Sequence, residues 1–492
     1  MTPRLFTARR LRALRWCALV MPAALMACGG GGGSGATNAC VADCAPPTGT
    51  TSPTTTTADT VPLSSSFANI CTADAPKQFV RAYLGEQYLW YKELRPLSLA
   101  AAPDVSTYFY GILADTPDRL GRPKDRFSFI IPAPTADAIS TGANTGYGIE
   151  WATDDAGRRR VALITAASPA AQAGMARGGE LLGVISTSHN TWYPNSPAAT
   201  ITFSYRDTPA AAARNITLHA APIQDDPLPT TQIIDAQAGR KVGYMLFNDH
   251  SSVAQDKLID AVKSLRSTGI DDLVLDLRYN GGGYLYVALS MASMVAGPAA
   301  EGKVFEQLVY NDQRAGETAH STLPFTTRVL VADSGSRYVA GSALPPLGLP
   351  RVYVLTSGST CSASESIINA LRGVDLDVVL IGGSTCGKPY GFTRQDNCGM
   401  ALYPIEFQGT NAKGFGDYAE GMAPTCAVAD DFDHALGDPG ERLLSTALQH
   451  MRTGACPPAS SAKRVAAVPR AIPGPAMRDK PQPGRLLAAG ER

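Results

Sequence analysis

The chain has 492 residues, of which 45% are hydrophobic and 17% charged, a composition typical of globular proteins. A chain of this length is too long for one hydrophobic core, so two to four domains are expected. Lys plus Arg and Asp plus Glu both total 43, so the formal net charge is zero. This balance gives no electrostatic reason to expect nucleic acid as a partner.

Residues 1–27 predict a signal peptide. Basic residues precede an apolar run over residues 16–27, which is too short to cross a bilayer comfortably. The run ends in Leu25, Met26, Ala27 and Cys28, which resembles a bacterial lipobox with Cys28 as the acylated residue. A plain signal peptide is the alternative, because Met26 is not the favoured residue at its position. We therefore expect the periplasmic side of a bacterial cell envelope, with membrane attachment through a lipid anchor.

Three further segments are distinguished by their composition. Residues 28–65 are rich in Gly, Thr and Pro and are typical of a flexible linker. Residues 66–139 are predicted to form an N-terminal helical region, because Phe79, Val80 and Tyr83 belong to an apolar stripe with helical spacing. Residues 457–492 are rich in Pro, Ala and Arg without periodicity, which predicts a disordered tail.

Residues 140–223 have short β-like runs separated by glycines. The segments 146–149 and 168–175, followed by an apolar run over 181–185, resemble a PDZ domain of the bacterial protease type. This resemblance implies that Tyr147, Gly148 and Ile149 receive the terminal carboxylate of a peptide, which adds to the domain as a strand. A β-rich domain without a ligand is the alternative.

Residues 224–456 have an α/β pattern. Apolar, β-branched runs at 242–247, 272–277, 352–355 and 378–381 predict strands, with helices between them. This alternation favours a mixed or parallel sheet covered by helices. The helix after the third of these strands should begin at about Ser362. A nucleophile there would lie near backbone N–H groups and the positive end of the helix dipole.

Three loops of this region carry the residue types needed for acyl transfer. If the strands are parallel, the loops holding Ser362, Lys388 and the glycines at 281–283 emerge at one edge of the sheet. Together they offer a hydroxyl nucleophile, an amine base and N–H donors for an oxyanion. None of the six histidines lies in these loops, whereas a lysine can act as the base when burial lowers its pKa. No metal or cofactor is needed for this chemistry.

The same motifs resemble those of the carboxy-terminal processing proteases, also called tail-specific proteases. The matching segments are residues 275–283, 362–365 and 385–388, in that order. The resemblance extends over about residues 83–451 and includes the PDZ-like segment. It implies a ClpP/crotonase-like catalytic domain with an N-terminal helical region and an inserted PDZ-like domain.

The resemblance also implies a role for individual residues. Ser362 would be the nucleophile and Lys388 the base, with Gln395 as a weak candidate for orienting Lys388. Some family members carry an acid eleven residues after the serine, but here that position is Gly373. The oxyanion donors would be the N–H groups of Ala363, Gly281 and Gly282, and the supporting residues would be Glu365 and Thr385.

The implied activity is serine endopeptidase cleavage of exported or unfolded polypeptides near their free C-termini. A non-catalytic, peptide-binding envelope lipoprotein on the same fold is the alternative, and an acyl hydrolase acting on another substrate is a third reading. Each motif taken singly has a structural explanation, because serine is common at helix starts and a lysine after a strand is usually solvated. Their joint occurrence favours the enzyme.

The cysteines predict disulfides in an exported chain. Cys361 immediately precedes Ser362, and Cys386 lies two residues before Lys388. If Ser362 and Lys388 meet, these cysteines lie close enough to form a disulfide that braces the site, although two buried thiols are the alternative. Cys398 and Cys426 are then expected as a second pair.

Overall fold

The computed structural model describes residues 62–194, 196–236 and 239–458, together with the backbone of residues 485 and 486. The predicted signal peptide, the lipid-anchor residue Cys28, nearly all of the linker and most of the tail lie outside the described residues. Within the described part of the chain, no helix is both long enough and apolar enough to cross a membrane.

The N-terminal elements share their core with a segment from much later in the chain. They are α1 (Ala75–Gln87), α2 (Val105–Ile112), β1 (Phe129–Pro132) and α3 (Ala133–Ser140). The predicted apolar stripe of α1 is buried, and it belongs to one hydrophobic cluster with Phe392 and Leu402. Because these partners lie in residues 390–405, the N-terminal helices complete their core only when the two segments pack together.

The PDZ-like part is a small β domain. Its elements are β2 (Ala143–Gly146), β3 (Ile149–Thr153), β4 (Arg159–Ile164), α4 (Pro169–Gln172), β5 (Glu180–Thr187), β6 (Thr200–Arg206), β7 (Arg214–His219) and β8 (Ala221–Gln224). Five strands form an antiparallel sheet in the order β3-β4-β5-β6-β7, and β2 pairs with β8. β3 is therefore an edge strand, and an edge strand can accept a further strand.

The α/β part, which begins with β9, contains the remaining elements. They are β9 (Thr230–Asp235), β10 (Lys241–Leu246), α5 (Ala254–Thr268), β11 (Asp272–Asp276), α6 (Leu285–Ala296), β12 (Val304–Tyr310), α7 (Ala315–His320), β13 (Thr322–Pro324), β14 (Arg351–Thr356), α8 (Ala363–Gly373), β15 (Asp377–Gly382), β16 (Tyr390–Phe392), β17 (Gln395–Asn397), β18 (Met400–Tyr403), β19 (Phe407–Thr410), β20 (Cys426–Ala427), α9 (Arg442–Thr453) and β21 (Arg485–Leu486).

A six-stranded sheet positions the site. Its order is β20-β15-β14-β11-β10-β9, and every pair is parallel except β9 with β10. Side chains of α5, α6 and α8 pack on one face of this sheet and those of α9 on the other. The prediction of an α/β fold with parallel strands is confirmed, and the carboxyl ends of β10, β11, β14 and β15 lie at one edge.

The smaller sheets join the α/β part to the other segments. β13, β12, β19, β16 and β21 form one sheet in that order, and β1, β18 and β17 form another. β1 runs antiparallel to β18, with Phe129 opposite Tyr403. The backbone of β21, which lies within the predicted disordered tail, pairs in parallel with β16.

The disulfides confirm one predicted pair and correct the other. Cys361 and Cys386 are bonded, with their Cα atoms 5.2 Å apart. The predicted pairing of Cys398 with Cys426 is wrong, since Cys398 is bonded to Cys71 and Cys426 to Cys456. Cys398 lies between β17 and β18, in the segment that packs on the N-terminal helices. Cys426 begins β20, an edge strand of the central sheet, and Cys456 follows α9.

Candidate active site

Ser362 lies in a strained backbone conformation at the start of α8. It is the N-cap residue of this helix, with φ 57° and ψ −113°. A positive φ at a non-glycine residue costs on the order of 1–3 kcal/mol, and such strain concentrates at functional sites. The residue is fully buried, and its Oγ has no hydrogen-bond partner among the described residues. The hydroxyl is therefore available to a base or a substrate.

The glycine turn after β11 makes close contact with Ser362. Gly282 has φ 101°, and a Cβ there would lie 2.9 Å from the Cβ of Ser362 and 3.0 Å from the backbone nitrogen of Ala363. The carbonyl of Asn280 accepts hydrogen bonds from the N–H of Cys361 at 3.0 Å and the hydroxyl of Ser364 at 3.1 Å. Only glycine permits this approach of the turn to the helix start.

The predicted oxyanion donors differ in their availability. Ala363 is the first residue of α8, so its N–H has no acceptor within the helix. The N–H of Gly282 donates to Oδ1 of Asn280 at 3.0 Å. Gly282 therefore allows the turn to approach Ser362, but its N–H already has an acceptor in this structure. Gly281 is partly exposed in the same turn, and the oxyanion roles of all three residues stay predictions.

Glu365 connects the Ser362 loop to the Lys388 loop. Its Oε2 accepts from the backbone N–H groups of Ser362 at 2.9 Å and Lys388 at 2.8 Å. Its Oε1 accepts from the N–H of Gly387 at 2.9 Å and the hydroxyl of Thr385 at 2.5 Å. Burial raises the pKa of Glu365, and these hydrogen bonds oppose the shift. One carboxylate thus contacts both loops, and the supporting roles of Glu365 and Thr385 stay predictions.

Lys388 lies in a buried, aromatic environment. The residue is fully buried, and its Nζ lies 4.6 Å from the centre of the Phe392 ring and 5.1 Å from that of Phe127. The preceding Gly387 has φ 82°, and a Cβ there would lie 2.3 Å from the carbonyl oxygen of Ala419. Only glycine fits at position 387, so the backbone that leads into Lys388 depends on this glycine.

The Cys361–Cys386 disulfide is a second connection between the same two loops. Besides the covalent bond, the N–H of Cys386 donates to the carbonyl of Thr360 at 3.0 Å. The two loops therefore run side by side, and the residues that follow each cysteine, Ser362 and Lys388, both bind Glu365 through their backbones.

Gln395 is not brought into this cluster by its side-chain hydrogen bond. It lies on β17, and its Nε2 donates to the carbonyl of the neighbouring Asp396 at 2.9 Å. Its proposed role in orienting Lys388 stays a prediction without a supporting contact among the described residues.

His250 belongs to the surroundings of the site, although it lies outside the three loops singled out from the sequence. It follows β10 and is fully buried. Its Nδ1 lies 2.9 Å from Oδ1 of Asn280, and its N–H donates to the carbonyl of Gly282 at 3.3 Å. Its position after β10 could have indicated this from the sequence, because parallel strands bring the loop after β10 to the same edge of the sheet as the Ser362 and Lys388 loops.

The predicted peptide-binding residues lie in the turn from β2 to β3 and at the start of β3, an edge strand of the PDZ-like sheet. Gly148 has φ 77°, and a Cβ there would lie 2.1 Å from the Cβ of Ser168. Tyr147 is buried, its hydroxyl has no partner among the described residues, and burial raises its pKa to about 12. Ile149 begins β3, the edge strand. Peptide binding here stays a prediction.

Two groups of potential metal ligands occur among the described residues. They are Cys361 with Glu365 and Cys386, and Cys426 with His450 and Cys456. In each group both cysteines form a disulfide, so their sulfur atoms are not the thiolates that bind metals. As described, neither group is suited to hold a metal.

Comparisons with known proteins agree with the motifs. Residues 241–397 match the sequence profile of peptidase family S41. A carboxyl-terminal-processing protease from Picosynechococcus sp. (strain ATCC 27264 / PCC 7002 / PR-6) is 28% identical over 183 residues, covering 37% of this chain and 38% of the relative. One from Synechocystis sp. (strain ATCC 27184 / PCC 6803 / Kazusa) is 23% identical over 284 residues, covering 55% of this chain and 59% of the relative.

A solved structure shows the same fold. A crystal structure from Bacteroides fragilis NCTC 9343, assigned to the S41 proteases, has a TM-score of 0.55 and 23% identity and covers 77% of this chain and 97% of its own. The alignments span less than two thirds of the length of both curated relatives. The match over residues 241–397, which contain Ser362, Lys388 and the glycine turn, shows that this segment is similar to peptidase family S41.

Proposed function

We propose that the chain is a serine endopeptidase that cleaves polypeptides near their C-termini, with Ser362 as nucleophile and Lys388 as general base. The observation that carries this proposal is the shared carboxylate oxygen. Both Ser362 and Lys388 donate their backbone N–H groups to Oε2 of Glu365. This arrangement holds a nucleophile and an amine on adjacent loops in a buried site, which favours proton transfer between them.

The proposed reaction proceeds through an acyl-enzyme. The neutral amine of Lys388 accepts the hydroxyl proton of Ser362 as Oγ attacks the carbonyl carbon of the scissile bond. The N–H of Ala363, at the positive end of α8, stabilises the oxyanion that forms. Lys388 then donates the proton to the leaving amine. A water molecule, deprotonated by Lys388, next attacks the ester, and Lys388 returns that proton to Oγ of Ser362 as the acyl group leaves. This sequence requires no metal or nucleotide.

The proposed substrates are unfolded or exported polypeptides with a free C-terminus. β3 offers an open edge, and the preceding turn contains Gly148 at a positive φ. Addition of an extended tail to such an edge selects for unstructured chains, because the tail must be free to adopt a strand.

We also propose that the chain is exported and attached to a membrane through Cys28. The support is the lipobox-like sequence ending at Cys28 after a basic, apolar leader. Metabolic labelling with a fatty-acid analogue tests this, since the Cys28→Ser variant should lose the label while the wild type carries it.

Cleavage of an unfolded protein by single variants tests the dyad. We expect Ser362→Ala and Lys388→Ala each to abolish cleavage, and Lys388→Arg not to restore it, because a guanidinium stays charged and cannot accept the serine proton. Ser267→Ala and Lys413→Ala, on the exposed surface, are the matched controls and should retain full activity. Substantial cleavage by Lys388→Ala would contradict the assignment of the base. Cleavage that does not depend on Ser362 would contradict the assignment of the nucleophile, and no cleavage by the wild type would favour another function on the same fold.

A further inference from the structure

The side chain of Asn280 is held by three hydrogen bonds at the start of the glycine turn. Its Nδ2 donates to the carbonyl of Phe247 at 2.9 Å, and its Oδ1 accepts from the N–H of Gly282 at 3.0 Å. The third contact joins Oδ1 to Nδ1 of His250 at 2.9 Å. Both His250 and Asn280 are fully buried, so these contacts do not compete with solvent.

The partners of Asn280 determine the protonation of His250. Because Nδ2 is the donor to Phe247 and Oδ1 the acceptor from Gly282, the orientation of the amide is defined. Oδ1 can only accept, so Nδ1 of His250 must carry the proton. Nε2 is buried without a hydrogen-bond partner among the described residues, as suits an unprotonated nitrogen better than an N–H. Burial lowers the pKa of His250 to about 3, so the ring is neutral at ordinary pH.

The backbone of His250 holds the other side of the glycine turn. Its N–H donates to the carbonyl of Gly282 at 3.3 Å, and its own carbonyl accepts from the N–H of Tyr284 at 2.9 Å. A Cβ on Gly283 would lie 2.7 Å from the carbonyl oxygen of His250. The loop after β10 and the glycine turn therefore fit against each other on both sides of Gly283.

We propose that His250, as a neutral imidazole, is a positioning residue that holds the glycine turn against Ser362 through Asn280. The mechanical route is short. His250 binds the side chain of Asn280, and the backbone carbonyl of Asn280 accepts from Cys361 and Ser364. Asn280 Oδ1 also binds Gly282, which abuts Ser362. Loss of the imidazole donor shifts the turn and disturbs the nucleophile without removing any group of the dyad. This inference rests on the proposed peptidase function.

Two substitutions of His250 separate the donor from the space that it fills. His250→Phe retains a ring beside Phe247, whose centre lies 4.4 Å from that of the imidazole, but it removes the donor. His250→Asn replaces Nδ1–H with an amide N–H at a similar distance from the backbone. We expect His250→Phe to lower kcat on the order of 10²-fold, as expected for a misplacement near 1 Å, with little change in KM. His250→Asn should recover most of kcat, and His320→Phe, at an exposed histidine, should have no effect.

A tautomer measurement tests the proposal without any change at His250. Nitrogen NMR of the full chain, labelled at histidine and carrying Ser362→Ala to prevent self-cleavage, should show a proton on Nδ1 of His250 and none on Nε2. A proton on Nε2, wild-type kcat in His250→Phe, or equal losses in His250→Phe and His250→Asn would each overturn the proposal. If the wild type shows no Ser362-dependent cleavage, the proposed function itself fails. The tautomer result then reports only on the hydrogen bond between His250 and Asn280.

Discussion

The backbone amides of Ser362 and Lys388 donate to the same atom, Oε2 of Glu365, at 2.9 and 2.8 Å. The two residues are separated by a helix and a strand along the chain, so this shared acceptor is a tertiary contact. Each hydrogen bond to a buried carboxylate contributes on the order of 1.5–3 kcal/mol. Glu365 therefore aligns the loops without being part of the dyad.

Replacement of Glu365 by Gln should weaken both loops. The amide group cannot accept at both of its ends. Its NH2 group therefore faces either the N–H groups of Ser362 and Lys388, or the N–H of Gly387 and the hydroxyl of Thr385. We expect the free energy of unfolding to fall by about 2–4 kcal/mol and kcat to fall by at least ~10-fold, measured by urea denaturation and by peptide cleavage. Glu301→Gln, at an exposed position, is the control. An unchanged kcat in Glu365→Gln would show that the carboxylate does not align the site.

Removal of the Cys361–Cys386 disulfide should reduce activity more than stability alone explains. The bond closes a loop with a sequence separation of 25, for which the chain-entropy model gives about 3 kcal/mol. The Cys426–Cys456 bond has a similar separation of 30 but lies outside the site. Double Cys→Ala variants of the two pairs should therefore lose similar stability, while only the Cys361/Cys386 variant loses kcat, by on the order of 10-fold or more. Equal kcat in both variants would argue against a bracing role.

Gly282→Ala should abolish most of the activity because no space exists for a side chain. The added Cβ would lie 2.9 Å from the Cβ of Ser362, in a backbone with φ 101°. Gly302→Ala is a matched control, since Gly302 also has a positive φ of 75° but faces open space. We expect kcat to fall by at least ~10²-fold in Gly282→Ala, and Gly302→Ala to lose only the ~1 kcal/mol of stability that left-handed strain costs. Full activity of a folded Gly282→Ala protein would be incompatible with the described turn.

Peptides with a free, apolar C-terminus should bind the PDZ-like part more tightly than their amidated forms. Loss of a charge-assisted hydrogen bond corresponds to about 10-fold or more in Kd, which fluorescence anisotropy with Ser362→Ala protein can measure. Gly148→Ala should weaken the binding of free peptides, because its Cβ would lie 2.1 Å from that of Ser168. Gly174→Ala, at a positive φ in open space of the same part, should not. Equal affinity for free and amidated peptides would show that the carboxylate is not recognised.

Local patterns of the sequence were sufficient to predict the elements that carry the site. Apolar, β-branched runs predicted β10, β11, β14 and β15. A strand that is covered by helices on both faces of the sheet is apolar at successive positions, so the run is visible in the local sequence. Strand–helix alternation then implied parallel pairing and a common edge for the loops of Ser362 and Lys388. The Cys361–Cys386 bond followed because each cysteine lies within two residues of a motif residue, so bringing the motifs together brings the sulfurs together.

Contacts between distant segments were decided only by the tertiary structure. Cys71 and Cys398 are 327 residues apart, and no local pattern records that β18 packs against the N-terminal helices. Likewise, the glycines of the turn indicated N–H donors for an oxyanion. The N–H of Gly282 instead donates to the side chain of Asn280, which is held by His250 from another loop. Periodicity reports which residues are buried. Their partners are selected by the packing of the whole chain, where many weak contacts between remote segments are optimised together.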